Sequence, residues 1–430
     1  MKKKLGFSLI LFSFILTYIC WLFVQPLSSI PSARQYSQLV AGMALVGFAL
    51  VNFISTRNQI LEKCFNGLDK SYIYHKYLSI ISLILVIIHT QLLDAGGRPE
   101  RSLATVQNFS KGARNSSHIF KTFGSISMYL FIALVIIALI AKKLNYERWK
   151  LIHKIMFIPY IIGIIHYYGS SNYAVFGLDS FSIFLNIINF IGIVSVIYSI
   201  FIYETSSFKY KFTIEKLELV ANSMIEITGK TLGRSMEFLP GQFAFLKLAG
   251  KENNFPSHPF SISQAPKKGE IQFTIKALGD HTGKLLDTLK VGHEFLVSGP
   301  HGKFNYITGS KKQIWIAGGI GITPFRSFYQ SDISEDYSID FFYAFNNKEE
   351  GAYIEEIMKL PKRTNLRVHL LNSKEEGFLS GEKIIKYVNK TDPVDVYFCG
   401  PKPMREILKK QLKENQLNII DFHYDNFQFK

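Results

Sequence analysis

Six apolar stretches crowd into the first 203 residues, at roughly 5–24, 36–56, 72–93, 120–141, 150–168 and 181–203. A helix rises about 1.5 Å per residue, so about 20 apolar residues cross a ~30 Å hydrocarbon layer. The stretches therefore predict a membrane all-α six-helix bundle. The first follows Met1-Lys2-Lys3-Lys4. Its apolar run is longer than the core of a signal peptide, so it reads as a retained first helix.

Charge supports this division. The 430 residues carry a net +16, but residues 1–205 hold 18 Lys+Arg against 7 Asp+Glu, a net +11, and residues 206–430 hold 31 against 26, a net +5. An excess concentrated in the more hydrophobic half argues for basic flanks of membrane helices and against a nucleic-acid surface. The richer flanks, with Arg57, Lys63, Lys70, Lys142, Lys143, Arg148 and Lys150 beside the N-terminal lysines, are expected in the cytoplasm. An even number of spans then puts both termini inside and the chain after Tyr203 in the cytosol. The outer loop at about 94–119 is expected to be the most mobile part of the outer face. Cys20, Cys64 and Cys399 make no disulfide scaffold, and no CxxC pair suggests zinc.

After Glu204 the period changes. Lys209–Leu219, Ala244–Leu248, Ile271–Ala277 and Glu294–Ser298 read as strands separated by Gly/Pro turns, which predicts a small antiparallel β-barrel. Gln313–Ala317, Ser338–Ala344, Leu366–Leu371 and Val394–Cys399 read as further strands, with helical patterns at Tyr353–Leu360 and Lys383–Val388 between them. That alternation predicts a doubly wound α/β domain with a parallel sheet. The expected domains are 1–205, 206–308 and 309–430.

Four histidines lie inside apolar stretches: His75, His89, His153 and His166. A polar ring in hydrocarbon is costly and usually functional. The third and fifth stretches run in the same direction, so His75 and His153 share the inner level and His89 and His166 the outer one. Each pair suits axial ligation of one haem, about 20 Å apart along the helices. The 14-residue step on the third stretch returns His89 to within about 40° of His75. The 13-residue step leaves His166 about 140° from His153. Pro159 lies between the latter two and is expected to kink or rewind that helix. The competing reading is histidines that only pack between helices, bonded to Ser, Tyr or carbonyls. His118 falls in the outer loop as a solvated residue.

The second half carries a series of short runs: Leu239-Pro240-Gly241-Gln242-Phe243, His258-Pro259-Phe260-Ser261, Ile275-Lys276 with His281-Thr282, Gly299-Pro300-His301-Gly302, Gly318-Gly319-Ile320-Gly321-Ile322-Thr323-Pro324 and Cys399-Gly400-Pro401. A glycine turn after a strand fits phosphates resting on a helix N-terminus. In this order the runs resemble the ferredoxin–NADP reductase superfamily. With six helices and two histidine pairs in front, the whole chain resembles the NADPH oxidase / ferric reductase family, and its bacterial NADPH oxidase branch in particular.

The resemblance implies FAD, NADPH or NADH, and two haems b. His258, Pro259, Phe260 and Ser261 would line the flavin. Ile275, Lys276, His281 and Thr282 would complete its pyrophosphate and adenine side, although the superfamily often has another residue where His281 stands. Gly318, Gly319, Gly321 and Thr323 would hold the dinucleotide phosphates. Cys399 and Gly400 would border the nicotinamide, with Cys399 a catalytic candidate beside the aromatic tail residue Phe427 (Phe429 as runner-up). After the second nucleotide strand, Ala344-Phe345-Asn346-Asn347-Lys348-Glu349 offers no Arg for a 2′-phosphate, only Lys348, and no acid at the strand end, so dual use of NADH and NADPH is expected. In the family an aromatic often lies between the haems on the fifth helix; here Pro159 occupies about that place, with Phe157 and Tyr160 as neighbours.

The implied activity is a cell-membrane NAD(P)H oxidase delivering electrons to extracellular O2 as superoxide. A ferric chelate, drawn by Arg98, Arg101, Lys111 and Arg114, is the rival acceptor. A membrane protein with a flavin sensor domain is a rival from another class, and would hold no haem. A haem module serving a separate redox protein is less expected, because the flavin half is complete and no obligatory protein partner is evident.

Overall fold

A computed structural model describes residues 5–25, 32–95, 111–140, 146–170, 177–249, 257–278, 280–361 and 364–425. The chain divides into two compact units, with the division between Thr205 and Ser206.

The first unit is helical: α1 (Leu5–Leu22), α2 (Ala33–Ile54), α3 (Gln59–Phe65), α4 (Leu68–Ala95), α5 (Lys111–Ile140), α6 (Tyr146–Lys154), α7 (Phe157–Ser170), α8 (Ser180–Ile197) and α9 (Tyr203–Ser206), with a π-helical turn at Tyr198–Ile202. Among the described residues, six helical segments are long and apolar enough to cross a membrane, α6 and α7 together supplying the segment Trp149–Ser170. Ser32 and Gln35 form a reciprocal capping box that starts α2, and Asp179 caps α8. Trp21, Val46, Phe48, Phe131, Tyr160 and Leu185 make the core. Large apolar residues such as Phe12, Ile84, Leu139 and Phe190 stay exposed, as lipid-facing side chains must.

The expected outer loop at 94–119 is shorter than its polarity suggests. The chain is helical through Ala95 and again from Lys111, while residues 96–110 lie outside the described residues. The short α3, rich in polar side chains, escaped the search for apolar runs.

The second unit begins with β1 (Tyr210–Ala221), β2 (Met224–Thr231), β3 (Phe243–Leu248), β4 (His258–Ser261), β5 (Glu270–Lys276), α10 (Asp280–Thr288) and β6 (Glu294–His301). These six strands form one antiparallel sheet in the order β4-β3-β6-β1-β2-β5. An Ile262–Phe273 bridge joins its two ends and closes the barrel. Phe212, Phe273, Phe295 and Val297 fill its interior. His258–Ser261 is not among the strands expected from the sequence. It is a short edge strand, a position that tolerates Pro259 because proline brings no donor to the ladder.

The remaining elements are β7 (Lys312–Gly318), α11 (Ile322–Tyr329), β8 (Ser338–Phe345), α12 (Ile354–Met358), β9 (Leu366–Asn372), α13 (Ser373–Glu376), α14 (Gly381–Ile385), β10 (Val394–Cys399), α15 (Lys402–Glu414) and β11 (Ile419–Tyr424). All pairings in this second sheet are parallel, in the order β11-β10-β7-β8-β9. One face buries Trp315, Phe325, Phe328 and Phe341; the other buries Ile316, Phe342, Val396 and Leu408. Covering both faces explains why β7, β8 and β10 are buried along almost their whole length rather than at alternate residues.

Candidate functional site

The four intramembrane histidines come together as two pairs. The ring centres of His75 and His153 are 5.9 Å apart, and those of His89 and His166 are 6.3 Å apart. Two imidazole nitrogens each about 2 Å from a shared metal would put their ring centres about 6 Å apart. Both pairs therefore leave the room that one iron needs. The levels are separated by the 14 residues between His75 and His89 on the unbroken α4, about 21 Å of rise.

Backbone carbonyls fix the ring tautomers. Nδ1–H of His75 donates to the carbonyl of Val51 (3.1 Å), that of His89 to Ser37 (2.8 Å) and that of His166 to Phe120 (2.7 Å). A carbonyl can only accept, so each Nε2 keeps its lone pair for a metal, the second-sphere arrangement typical of ligating imidazoles. Ser37 answers with its hydroxyl, which donates to the carbonyl of His89 at 2.9 Å. His153 stacks on the Trp149 indole at 4.9 Å, and its Nδ1 has no hydrogen-bond partner among the described residues.

The interruption expected between His153 and His166 is present, and it lies one turn before Pro159, whose missing N–H would otherwise bond to the carbonyl of Ile155. The helix breaks at Ile155–Met156, between α6 and α7, and Pro159 sits in the first turn of α7. A proline there costs little, because the first turn's N–H groups lack intrahelical partners.

Beside His89 and His166 lies a cavity of about 290 Å3 walled by α2, α4, α5 and α7. Phe48, Phe131 and Tyr160 line its apolar part; Arg34, Ser37 and Lys121 are among its polar residues. Phe48 and Phe131 stack face to face at 4.0 Å. That pair escaped the sequence reading, because its members lie on different helices.

In the barrel, β4 pairs with β3 through Phe243↔Ser261, Ala244↔Phe260, Phe245↔Pro259 and Leu246↔His258. Ser261 is buried, whereas His258, Pro259 and Phe260 are half-buried at the edge. Ile275 and Lys276 end β5, the strand against which the chain after β4 closes the barrel. Ile275 is a core residue, and the Lys276 ammonium lies 3.8 Å from the Glu350 carboxylate. The Thr282 hydroxyl accepts from the backbone N–H of Leu278 (2.9 Å). The side chain of His281 lies outside what is described.

The two glycine turns meet at adjacent strand ends. A Cβ on Gly321 would lie 2.1 Å from the carbonyl oxygen of Cys399, so this turn packs backbone to backbone against Cys399-Gly400. Gly319 has φ +54°, and a Cβ there would point into open space. Gly318 ends β7. Thr323 is buried in the first turn of α11 and donates to the carbonyl of Ile320 (3.1 Å). This is the carboxyl edge of a parallel sheet leading into a helix N-terminus, where nucleotide phosphates bind. Burial pushes the Cys399 thiol well above its usual range, with the Asp425 carboxylate adding to the shift. Phe427 and Phe429 lie outside the described residues.

The sequence reading left the end of β8 without an acid. The fold returns Glu350 to it, with its carboxylate 3.1 Å from Nδ2 of Asn346. The sequence reading also missed Arg326, Glu226, Tyr353 and Glu356, which meet in a buried ionic cluster. The sole local hint was a charged residue inside the otherwise uncharged Thr323–Tyr329 run.

Comparison with known proteins matches three family models in succession: a ferric reductase like transmembrane component over residues 40–164, an FAD-binding domain over 209–316, and an oxidoreductase NAD-binding domain over 315–410. Among curated relatives, the 2-halobenzoate 1,2-dioxygenase electron transfer component of Burkholderia cepacia is 24% identical over 204 residues, 45% of this chain and 59% of that protein. The propane 2-monooxygenase reductase component of Rhodococcus jostii is 27% identical over 208 residues, 44% of this chain and 56% of that protein. The chain thus spans less than two thirds of these relatives. A solved FAD/NAD-binding domain of a Vibrio cholerae nitric oxide dioxygenase aligns with 50% of this chain and 97% of its own, at 18% identity and a TM-score of 0.45. In succession, the ferric reductase-like transmembrane component, the FAD-binding domain and the oxidoreductase NAD-binding domain match the architecture of the NADPH oxidase / ferric reductase family, on a chain with six helical segments long and apolar enough to cross a membrane among its described residues.

Proposed function

We propose that the chain is a cell-membrane NAD(P)H oxidase, moving electrons from cytosolic NADH or NADPH to O2 on the outer side and releasing superoxide. The observation that carries this reading is the pair of histidine couples at two depths, their ring centres 5.9 and 6.3 Å apart, the spacing of two imidazoles that share one metal.

When bound, FAD takes two electrons as a hydride and gives them up singly, and haem irons accept them one at a time. His75 and His153 would hold the inner haem, and His89 and His166 the outer one. The carbonyls of Val51, Ser37 and Phe120 orient three of these rings. Strand β4, with His258, Pro259, Phe260 and Ser261, would seat the flavin, and the Lys276–Thr282 segment its pyrophosphate. Gly318, Gly319, Gly321 and Thr323 would cradle the dinucleotide phosphates, with Cys399 and Gly400 beside the nicotinamide. Phe48, Phe131 and Tyr160 would give the space beside the outer pair an apolar wall. The basic flanks favour both termini in the cytoplasm.

Ferric-chelate reduction on the same architecture is the second reading, favoured by Arg34 and Lys121 in the cavity beside the outer histidines. Their charge suits an anionic acceptor.

Purified protein is expected to give a b-type difference spectrum with about two haems per chain. It should also reduce cytochrome c in a superoxide dismutase-sensitive manner without added iron. A haem-free preparation sinks both readings. Iron-dependent, dismutase-insensitive reduction favours the second. His89→Leu should remove the outer haem and spare the inner one.

A further inference from the structure

The barrel and the nucleotide-binding sheet meet along a buried polar seam, and Arg326 is its hub. From the second turn of α11, its Nε donates to both carboxylate oxygens of Glu356 (3.1 and 3.0 Å). One terminal nitrogen contacts the carboxylate of Glu226 on β2 (2.7 Å) and donates to Oε1 of Gln272 on β5 (2.8 Å) and the carbonyl of Ser263 (3.1 Å). The other lies 2.9 Å from Glu356. The guanidinium rests on the Tyr353 ring at 4.2 Å, and the Tyr353 hydroxyl donates to Glu226. Next along α11, the Ser327 hydroxyl donates to the carbonyl of Gln264 (2.6 Å). The Arg326 and Glu226 side chains are 8% and 4% exposed.

Stability alone does not account for such a cluster, because the desolvation of a buried ion pair offsets most of its attraction. A guanidinium does supply direction. Its N–H groups leave in fixed directions in one plane, so meeting partners from β2, β5, the segment after β4 and α12 specifies one orientation of the two subdomains. The ends of this bridge are informative. Arg326 follows Thr323 by three residues, and Ser263 follows Ser261 by two. One side chain thus ties the glycine turn that would carry the dinucleotide to the strand that would carry the flavin.

We propose that Arg326 is a positioning residue for hydride transfer. It holds the Gly318–Thr323 turn against β4 so that the two rings meet at reacting distance. This rests on the functional reading above. In the step, a hydride leaves C4 of the dihydronicotinamide with both bonding electrons. The ring becomes the oxidised, cationic nicotinamide, and the flavin gains the hydride and is reduced by two electrons. A displacement of about 1 Å in such a reaction costs about 100-fold in rate.

The test uses the full chain, purified with its flavin, under anaerobic conditions. Flavin bleaching is followed by stopped flow with NADH, NADPH and their 4-deuterated forms, and backbone amide exchange is followed without nucleotide. Arg326→Met should slow bleaching at saturating nucleotide by about 10–100-fold and increase the deuterium effect. Nucleotide affinity should stay within about threefold, and the flavin content and dithionite-reduced spectrum should be unchanged. Amide exchange should rise in residues 261–265 and 318–329. Arg326→Lys should fall between, because a single ammonium cannot span both carboxylates. Where Arg326→Met does not retain flavin, Glu356→Gln, at a partly exposed position, should still slow bleaching measurably. Normal bleaching and exchange in a flavin-replete Arg326→Met or Glu356→Gln protein would overturn the assignment, as would a loss confined to nucleotide affinity. Wild-type flavin that neither nucleotide bleaches would instead overturn the functional reading and this proposal together.

Discussion

Gly124 on α5 lies under the ring of His166: a Cβ at this position would come 2.7 Å from Cε1 and 2.9 Å from Nε2. Real carbon contacts do not approach so closely, so any side chain at position 124 must push the imidazole aside. The ring is also tied through Nδ1 to the carbonyl of Phe120, one turn earlier on the same helix. It therefore has little freedom to yield without giving up that bond. Gly124→Val should displace His166 and release the outer haem while leaving the His75–His153 level intact. Haem per polypeptide, measured as the pyridine haemochrome, should fall from about two to about one. Two retained haems with unshifted spectra would show that this contact does not govern ligation.

Gly321 plays the corresponding part in the nucleotide domain, where a Cβ would sit on the carbonyl of Cys399. The backbone of a parallel strand end cannot step aside without breaking its ladder bonds. Gly321→Ala should separate the β7 and β10 turns and weaken nucleotide binding by about 10-fold or more, the effect of about 1.4 kcal/mol. Flavin should remain bound, and dithionite should still reduce the protein fully. An NAD(P)H titration of flavin reduction reads this directly.

Much of this was legible in the chain. Long apolar runs are governed by composition alone, so the spans were readable to within a few residues, and their direction was enough to pair His75 with His153 and His89 with His166. The glycine turns were readable because they carry their own backbone requirement. Features that depend on distant partners were not. Strand β4 is four residues long and contains Pro259, so nothing local marks it as a strand; its ladder comes from β3. Strand β11 is six residues long, and what fixes it is distant: its ladder comes from β10, where the His423 ring reaches Asp395 at 2.7 Å. Arg326 gathers partners between 30 and 100 residues away, and no spacing rule connects them.

Cys399 is an unreactive thiol by environment. It is 4% exposed, and its burial, with Asp425 nearby, disfavours the thiolate. Since the thiolate is the nucleophile, alkylation should be slow at neutral pH. Iodoacetamide should label Cys399 at pH 7.5 only after denaturation, as read by peptide mass spectrometry. Cys399→Ser should lower the hydride-transfer rate without changing flavin content. Rapid labelling in the folded protein would mean that this strand end opens in solution.

Asp340 tests the nucleotide sheet itself. Arg367, its cross-strand partner, donates from Nε to Oδ1 (2.8 Å) and from a terminal nitrogen to Oδ2 (2.6 Å), and His369 approaches Oδ1 at 3.1 Å. Burial alone would raise this carboxyl, but the bonds from His369 and Arg367 outweigh it and hold it below the usual carboxylate range. A depressed folded value means that the unfolded chain takes up the proton first. The stabilisation is therefore complete above the unfolded value of about 3.9 and fades as pH falls through the lower folded value. Asp340→Asn should cost about 1–3 kcal/mol at pH 7, because it leaves a bidentate guanidinium without its anion. In a unit the size of the second one, roughly 220 residues, that lowers the temperature of flavin release by about 2–4 °C per kcal/mol. The gap between wild type and variant should hold from pH 8 down to about 5 and close below about 4. A gap that widened on acidification would mean that the carboxyl is held above its ordinary value, with burial outweighing the fork from Arg367.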